Sequence, residues 1–250
     1  MNGRKIIDRE PVALPVLPGI DDQLWPALIE LAEVQQTTWT LIGGQMVLLH
    51  ALEHGAQPSR VSTDLDIVVN ARVASGAVRE FVAALEESGY ELAGHSPDGI
   101  AHRYGRDGVS VDVLAPEGLG ERTDLTTTPP GRTLAVTGGT QALNRTEMVP
   151  VTFEGQVGLV PRPSLLGAII CKACAVDDDD VPLAQRSDLA LLLSLVEHPL
   201  ATADELDRKD RQRLARRSEM NDRQHPAWDT LDQTEADRGL ATYRLLTRRP

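Results

Sequence analysis

Residues 39–69, WTLIGGQMVLLHALEHGAQPSRVSTDLDIVV, contain the pattern that decides the fold. A short apolar strand is predicted over residues 39–42, and an apolar helix over about residues 45–53. Gly43 and Gly44 separate the two elements. Glycines at the start of a helix let backbone N–H groups come close to a phosphate. The pattern therefore indicates a strand, a phosphate-binding turn and a helix in succession.

A second predicted strand carries Asp64 and Asp66 on one face and apolar residues on the other, because strand side chains alternate between faces. Two neighbouring carboxylates repel each other, and folding alone does not require them. Mg²⁺ takes oxygen ligands and often binds one or two carboxylates together with phosphate oxygens. With the glycine pair nearby, these residues indicate a metal ion held against a nucleoside triphosphate.

A predicted hairpin supplies a candidate third carboxylate. Residues 101–106 and 109–114 flank the turn Asp107-Gly108, which is a strong signal for two antiparallel strands. Asp112 lies in the second strand between two valines. Two interpretations remain open at this point: Asp112 is an edge-strand residue that faces solvent, or it faces Asp64 and Asp66.

The second half of the chain is predicted to be helical, and it contains one unusual lysine. Ser164 is a suitable N-cap for a helix over residues 165–176, whose single charged residue is Lys172. A following helix, about residues 183–197, carries Asp188. Because lysines are rarely buried without a partner, Lys172 either reaches solvent, points at an anion, or forms a structural ion pair with Asp188.

The predicted organisation is α+β. An N-terminal arm over residues 1–20 precedes a nucleotidyltransferase-type mixed β-sheet flanked by helices over residues 21–162, and a C-terminal helical bundle follows over residues 163–250. Further elements are predicted from periodicity and turn signals. They are a helix over residues 21–36 capped by Asp21 or Asp22, a helix over 74–88, a strand over 90–93, a second hairpin over 149–153 and 156–160 across Glu154-Gly155, and helices over 203–220 and 233–246.

Composition narrows the classes of function. The 250 residues carry a formal net charge of −12 and only 3% aromatic residues, which argues against a large nucleic-acid surface with extensive base stacking. Cys171 and Cys174 lie in an apolar helix, where we expect core packing. Without a long apolar run or an apolar signal segment, a cytoplasmic protein without membrane contact is expected. Dense basic charge occurs at Arg208, Lys209, Arg211, Arg213, Arg216 and Arg217.

Two motifs resemble a known family. The order strand, Gly-Gly, helix, D-x-D strand and a later single Asp resembles the polymerase-beta-like nucleotidyltransferase superfamily. The segment Arg60-Val-Ser-Thr-Asp64-Leu-Asp66 looks like the R-x-[ST]-x-D-[IL]-D motif of AbiEii-type nucleotidyltransferases, the toxins of type IV toxin–antitoxin systems. Lys172 and the later Arg186-Ser-Asp188 are similar to that family's downstream motif. The resemblance covers about residues 38–195.

The resemblance implies a reaction and a set of roles. Asp64, Asp66 and Asp112 would hold Mg²⁺, and Asp112 would also accept the proton of the attacking hydroxyl. The glycine pair would bind the phosphates of a nucleoside triphosphate substrate, and Arg60 and Lys172 would offset the phosphate charge. Asp188 would orient Lys172 or contact the nucleotide. Gln45 stands where the family often has a serine that touches phosphate.

The resemblance also implies partners. Several members of the family modify the 3′ end of tRNA, and such toxins are neutralised by a cognate antitoxin protein. Two alternatives remain. The acidic surface suits a cationic small-molecule acceptor, such as an aminoglycoside, and a protein acceptor belongs to the same class. A degenerate module that binds nucleotide without turnover is the second alternative, because Gln45 and Ala190 depart from the family's motifs.

Overall fold

The computed structural model describes residues 4–16, 23–35, 38–58, 60, 62–177 and 181–248. Three features of the sequence lie at least partly outside these ranges. They are the predicted helix caps Asp21 and Asp22, part of the predicted arm, and part of the acidic run at residues 177–180. The described elements in chain order are β1 (Val12–Ala13), α1 (Leu24–Val34), β2 (Trp39–Leu41), α2 (Gly43–Glu53), β3 (Asp64–Val69), α3 (Ala77–Glu87), β4 (Glu91–Leu92), β5 (Arg103–Arg106), β6 (Val109–Pro116), β7 (Ala135–Val136), α4 (Gly139–Asn144), β8 (Thr146–Phe153), β9 (Gln156–Pro163), α5 (Leu165–Ala175), α6 (Pro182–Ser194), α7 (Pro199–Asp204), α8 (Arg208–Ala215) and α9 (Gln233–Thr247).

The larger sheet is mixed, as predicted. Its strand order over the described ranges is β2-β3-β6-β5-β4, and β7 pairs with the end of β6. Strands β3 and β6 run parallel, whereas β2, β5 and β4 join the sheet in antiparallel pairs. A smaller sheet has the order β1-β8-β9. Helices flank the sheets and dominate the chain after β9, so the predicted α+β class is confirmed.

Both predicted hairpins are confirmed, and both have a two-residue turn. Strands β5 and β6 meet at the pair Arg106 and Val109, and strands β8 and β9 meet at Phe153 and Gln156. The turn residues have positive φ: 49° and 81° at Asp107-Gly108, and 48° and 87° at Glu154-Gly155. Two central residues with positive φ match the right-handed twist of the flanking strands, so the turns fix the strand register.

Helix α2 is fixed to the rest of the core through its buried side chains. His50 is 1% exposed, and its Nε2 lies 3.1 Å from the carbonyl oxygen of Pro163 at the end of β9. Burial is the largest cause of a pKa of His50 well below its ordinary value. His50 is therefore held as a neutral core residue, in agreement with a packing role.

The C-terminal helices pack closely because small residues face large ones. A Cβ atom at Gly239 of α9 would lie 2.7 Å from Cζ3 of Trp228 and 3.2 Å from the carbonyl oxygen of Ala190. Trp228 is fully buried. Gly239 thus permits α9 to approach α6 across the indole ring of Trp228.

The prediction of a single helix over residues 203–220 is wrong. The segment contains the end of α7, the separate helix α8 and a short 3-10 helix, Ser218–Asn221. Asp207 interrupts the helix because its side chain accepts a hydrogen bond from the backbone N–H of Asp210, and Asp210 bonds in return to the N–H of Asp207. This reciprocal capping starts a new helix. No helix in the described part of the chain is long and apolar enough to cross a membrane.

Candidate functional site

Three aspartates lie on adjacent parallel strands. Asp64 begins β3, and Asp66 follows it on the same face. Asp112 of β6 is the register partner of Asp66. The side chain of Asp112 is 9% exposed and that of Asp64 is 33% exposed. The structure therefore places Asp112 beside Asp66 rather than at a free sheet edge.

The glycine pair lies directly against the aspartates. A Cβ atom at Gly43 would lie 1.8 Å from Oδ2 and 2.7 Å from Cγ of Asp66, and Gly43 has a φ of +69°. A Cβ atom at Gly44 would lie 2.6 Å from Cβ of Ser62. These contacts explain why both positions need glycine. The first N–H groups of a helix lack partners within the helix, so the start of α2 presents such donors beside the Asp66 carboxylate.

Gln45, the third residue of α2, is buried and turned toward a loop. Its Nε2 donates a hydrogen bond of 2.5 Å to the carbonyl oxygen of Ser62. Its Oε1 is buried and has no hydrogen-bond partner among the described residues. In this arrangement Gln45 positions the loop that precedes Asp64, whereas the sequence suggested contact with phosphate.

Lys172 is buried in an ion-paired network, as one of the sequence alternatives predicted. Its Nζ lies 2.8 Å from Oδ2 of Asp188 and donates a hydrogen bond of 2.8 Å to Oε1 of Gln185. Lys172 and Asp188 are each 2% exposed. Arg60 donates a hydrogen bond of 2.7 Å to the same Oδ2 of Asp188. One carboxylate thus binds cations from the loop before β3 and from α5.

Arg103 is a member of the site that sequence reasoning missed. Its Nε and NH2 donate hydrogen bonds of 2.7 Å each to Oδ1 and Oδ2 of Asp112. Its NH2 also lies 3.6 Å from Oδ2 of Asp64. The residues on either side of the Asp107-Gly108 turn pair in order, which places Arg103 opposite Asp112. The position of Arg103 could therefore be predicted from the sequence of the hairpin. His102, the preceding residue, has its Nε2 3.9 Å from Oδ2 of Asp112.

The pKa of Asp66 is raised by the electrostatic environment of the site. Burial raises that pKa from 3.8 to about 6, and the neighbouring carboxylates of Asp112 and Asp64 add to the rise. Lys172 and Arg103 act in the opposite direction. The Arg103 guanidinium, hydrogen-bonded to Asp112, has its pKa raised above the ordinary value. The site therefore concentrates negative charge that nearby cations offset only in part.

The donor set fits a hard divalent cation. Carboxylate oxygens are the ligands that Mg²⁺ prefers, and it commonly takes one or two of them, with water and phosphate oxygens completing the shell. Asp64 and Asp66 provide such a pair. Over the described ranges, no group of three or more His, Cys, Asp or Glu side chains is arranged around one metal position. Both oxygens of Asp112 accept hydrogen bonds from the Arg103 guanidinium.

Two other features lie apart from this chemistry. A cleft of about 520 Å³ is lined by residues that follow the ends of β3 and β6, among them Arg72, Ser75 and Arg122. Asp64, Asp66 and Asp112 do not line it. Cys171 and Cys174 are buried in α5, and burial raises the pKa of Cys171 to about 12, in agreement with core packing.

A scan against protein-family models and a search of curated proteins both give no match. Among solved structures, the chain is similar to an antigenic nucleotidyltransferase-like protein from Paracoccidioides brasiliensis. The sequence identity is 14%, the TM-score is 0.49, and the match covers 80% of this chain and 91% of that chain. A similarity of this degree does not assign a reaction to the chain.

Proposed function

We propose that this chain is a Mg²⁺-dependent nucleotidyltransferase: an acceptor hydroxyl attacks the α-phosphorus of a nucleoside triphosphate, the bond to the β-phosphate breaks, and the nucleoside monophosphate is transferred with release of pyrophosphate. The observation that supports it is the meeting of Asp64, Asp66 and Asp112 on parallel strands, with Gly43 packed against the Asp66 carboxylate. The arrangement puts acidic ligands and free helix N–H donors next to each other. A metal-bound triphosphate requires both.

The proposed chemistry divides between metal and protein. Asp64, Asp66 and Asp112 would hold Mg²⁺, and the metal would offset the negative charge of the triphosphate. Asp112 would accept the proton of the acceptor hydroxyl, because it is a carboxylate fixed beside the metal pair. The N–H groups at Gly43 and Gly44 would bind phosphate oxygens.

The cations of the site would act on the substrate's negative charge. Lys172 is held rigidly by Asp188 and Gln185, and its charge acts on Asp66, which indicates that it lies close to the metal pair. Arg60 is 38% exposed and shares Asp188 with Lys172. We propose that Lys172 offsets phosphate charge, that Asp188 orients Lys172, and that Arg60 holds the loop at the site's entrance.

For the acceptor we propose the 3′ end of tRNA, with the protein acting as the toxin of a toxin–antitoxin pair. The support is that the two motifs of the AbiEii resemblance, 128 residues apart, meet in space through the ion pair of Arg60 and Asp188. Motifs that are separate in sequence but joined in one site are expected to serve one activity. A cognate antitoxin protein would be the partner.

A second candidate acceptor is a cationic small molecule. The net charge of −12 favours a cation over a polyanion, since like charges reduce the rate of encounter. A protein acceptor and a nucleotide-binding module without turnover are further outcomes that the same experiment separates.

The experiment is a labelling assay. The purified protein is incubated with Mg²⁺, each α-labelled nucleoside triphosphate in turn, and total RNA, protein extract or an aminoglycoside. The proposal expects label in the tRNA band with the wild-type protein and none with Asp64→Ala/Asp66→Ala. The matched control is Glu80→Ala/Glu87→Ala, which removes two exposed carboxylates from α3. Label on an aminoglycoside or a protein instead would refute the tRNA assignment, and nucleotide binding without any product would refute the transferase.

A further inference from the structure

The Arg103 guanidinium covers carboxylates that the proposed metal site needs. It forms two hydrogen bonds of 2.7 Å with Asp112, and its NH2 lies 3.6 Å from Oδ2 of Asp64. We infer that Arg103 is an internal counter-cation that competes with the divalent metal for Asp64 and Asp112. The inference rests on the proposed function, because it assumes that the aspartates are metal ligands.

The backbone of Arg103 is fixed while its side chain is able to leave. Arg103 lies in β5, between β4 and β6, and its carbonyl oxygen accepts a hydrogen bond of 2.9 Å from the N–H of Ala93. Its side chain is 48% exposed, whereas that of Asp112 is 9% exposed. Release of Asp112 therefore requires only rotation of one long side chain into solvent.

The charge of the site explains why such a cation is present. Asp112 is the register partner of Asp66, and Asp64 lies on the same face of β3. Without a cation, three carboxylates at neighbouring positions repel one another. Arg103 offsets this repulsion when no metal is bound, and His102, 3.9 Å from Asp112, is a further group that faces the same carboxylate. A divalent ion that binds must displace Arg103.

Competition makes a prediction about affinity rather than about activity. Removing the guanidinium takes away both the competitor and a positive charge within a few ångströms of the metal position, so the metal should bind more tightly. A unit charge at this range changes the affinity for a divalent cation by about tenfold or more. Methionine keeps an unbranched aliphatic side chain at position 103. The packing of β5 is therefore preserved, and Arg103→Met is expected to fold.

The test measures binding of Mn²⁺, a spectroscopically visible substitute for Mg²⁺, by electron paramagnetic resonance and calorimetry at one ionic strength. Arg103→Met is expected to bind Mn²⁺ about tenfold more tightly than the wild type, and Arg103→Lys to fall between them, because lysine keeps the charge without the two-point contact. Arg79→Met is the matched control: Arg79 is exposed and paired with Asp124, and its loss should leave the affinity unchanged.

Several outcomes overturn the inference. They are equal or weaker Mn²⁺ binding by Arg103→Met, an equal gain in Arg79→Met, and binding that survives Asp64→Ala/Asp66→Ala in the Arg103→Met background. Failure of the proposed reaction is seen separately. Tighter Mn²⁺ binding by Arg103→Met without any labelled product supports the competition and refutes nucleotidyl transfer. Labelled product together with an unchanged Mn²⁺ affinity in Arg103→Met supports nucleotidyl transfer and refutes the competition.

Discussion

Asp66 and Asp112 are register partners on two parallel strands, so the fold places a half-buried carboxylate beside a buried one. Burial and this neighbour raise the pKa of Asp66 to about 6. The arrangement opposes folding at neutral pH. Unfavourable charge that serves no packing purpose is typical of functional sites.

Replacing Asp66 with asparagine should stabilise the protein and abolish nucleotidyl transfer. The variant removes a half-buried negative charge, and the rise of the Asp66 pKa from 3.8 to about 6 corresponds to at most about 3 kcal/mol. We expect Asp66→Asn to raise the free energy of unfolding by about 1–3 kcal/mol at pH 7.5 without divalent metal. Urea denaturation measures this. Asp107→Asn, at an exposed turn position, is the control and should have little effect.

The stabilising effect of Asp66→Asn should depend on pH in a defined direction. Asp66 has a higher pKa in the folded state than the ordinary 3.8, so between about pH 4 and 6 the folded state binds more protons. The free energy of unfolding of the wild type therefore decreases as the pH rises through that window, because ionising Asp66 costs more in the folded state than in the unfolded state. Denaturation series at pH 4.5 and 7.5 should show a small difference between wild type and variant at the lower pH and the full difference at the higher one. Equal differences at both pH values would contradict the assignment to Asp66.

Gly43 should tolerate alanine far less well than Gly55. The two residues have nearly the same φ, +69° and +68°. A Cβ at Gly43 meets Cβ, Cγ and Oδ2 of Asp66 within 2.9 Å, whereas nothing lies within 4 Å at Gly55. Gly55→Ala should therefore cost about 1–2 kcal/mol from backbone strain alone. Gly43→Ala should cost about 2–5 kcal/mol and remove activity, because a rotation of Asp66 does not relieve a contact with its Cβ. Similar losses in both variants would show that the contact with Asp66 does not matter.

The buried pair of Lys172 and Asp188 should behave as a coupled unit. Lys172→Met leaves Asp188 with Arg60 as its remaining cation, and removing one partner of a buried ion pair costs about 3–5 kcal/mol. Asp188→Leu should cost a similar amount. The double variant should cost clearly less than the two single costs added together, because it removes both charges of the pair and leaves neither of them without its partner. A double-mutant cycle by chemical denaturation measures the coupling. Additive costs would mean that the two charges do not stabilise each other.

Much of the sheet and its aspartates followed from local sequence patterns. The turns Asp107-Gly108 and Glu154-Gly155 predict their hairpins because few residue pairs adopt two positive φ angles. Alternation in β3 placed Asp64 and Asp66 on one face. These features depend on neighbours in sequence, so a single sequence is enough to predict them.

Other features depended on contacts between distant residues. Nothing near Asp112 indicates that β6 pairs with β3 in parallel, since a parallel pair is joined by a long connection. The inward turn of Gln45 depends on the carbonyl oxygen of Ser62, and the break before α8 depends on the reciprocal bonds of Asp207 and Asp210. Arg103 is a different case, because the register that the Asp107-Gly108 turn defines already places it opposite Asp112.

The shared carboxylate of Asp188 has a consequence for the order of events during synthesis. Asp64, Asp66 and Asp112 emerge from the ribosome before Lys172 and Asp188, and Arg60 must wait for a partner 128 residues later. A nascent chain that ends near residue 162 would contain all three aspartates and Arg103, but neither Lys172 nor the Asp188 carboxylate that holds Arg60. The acidic half of the site is thus synthesised first, and it gains Lys172 and Asp188 only when α5 and α6 follow.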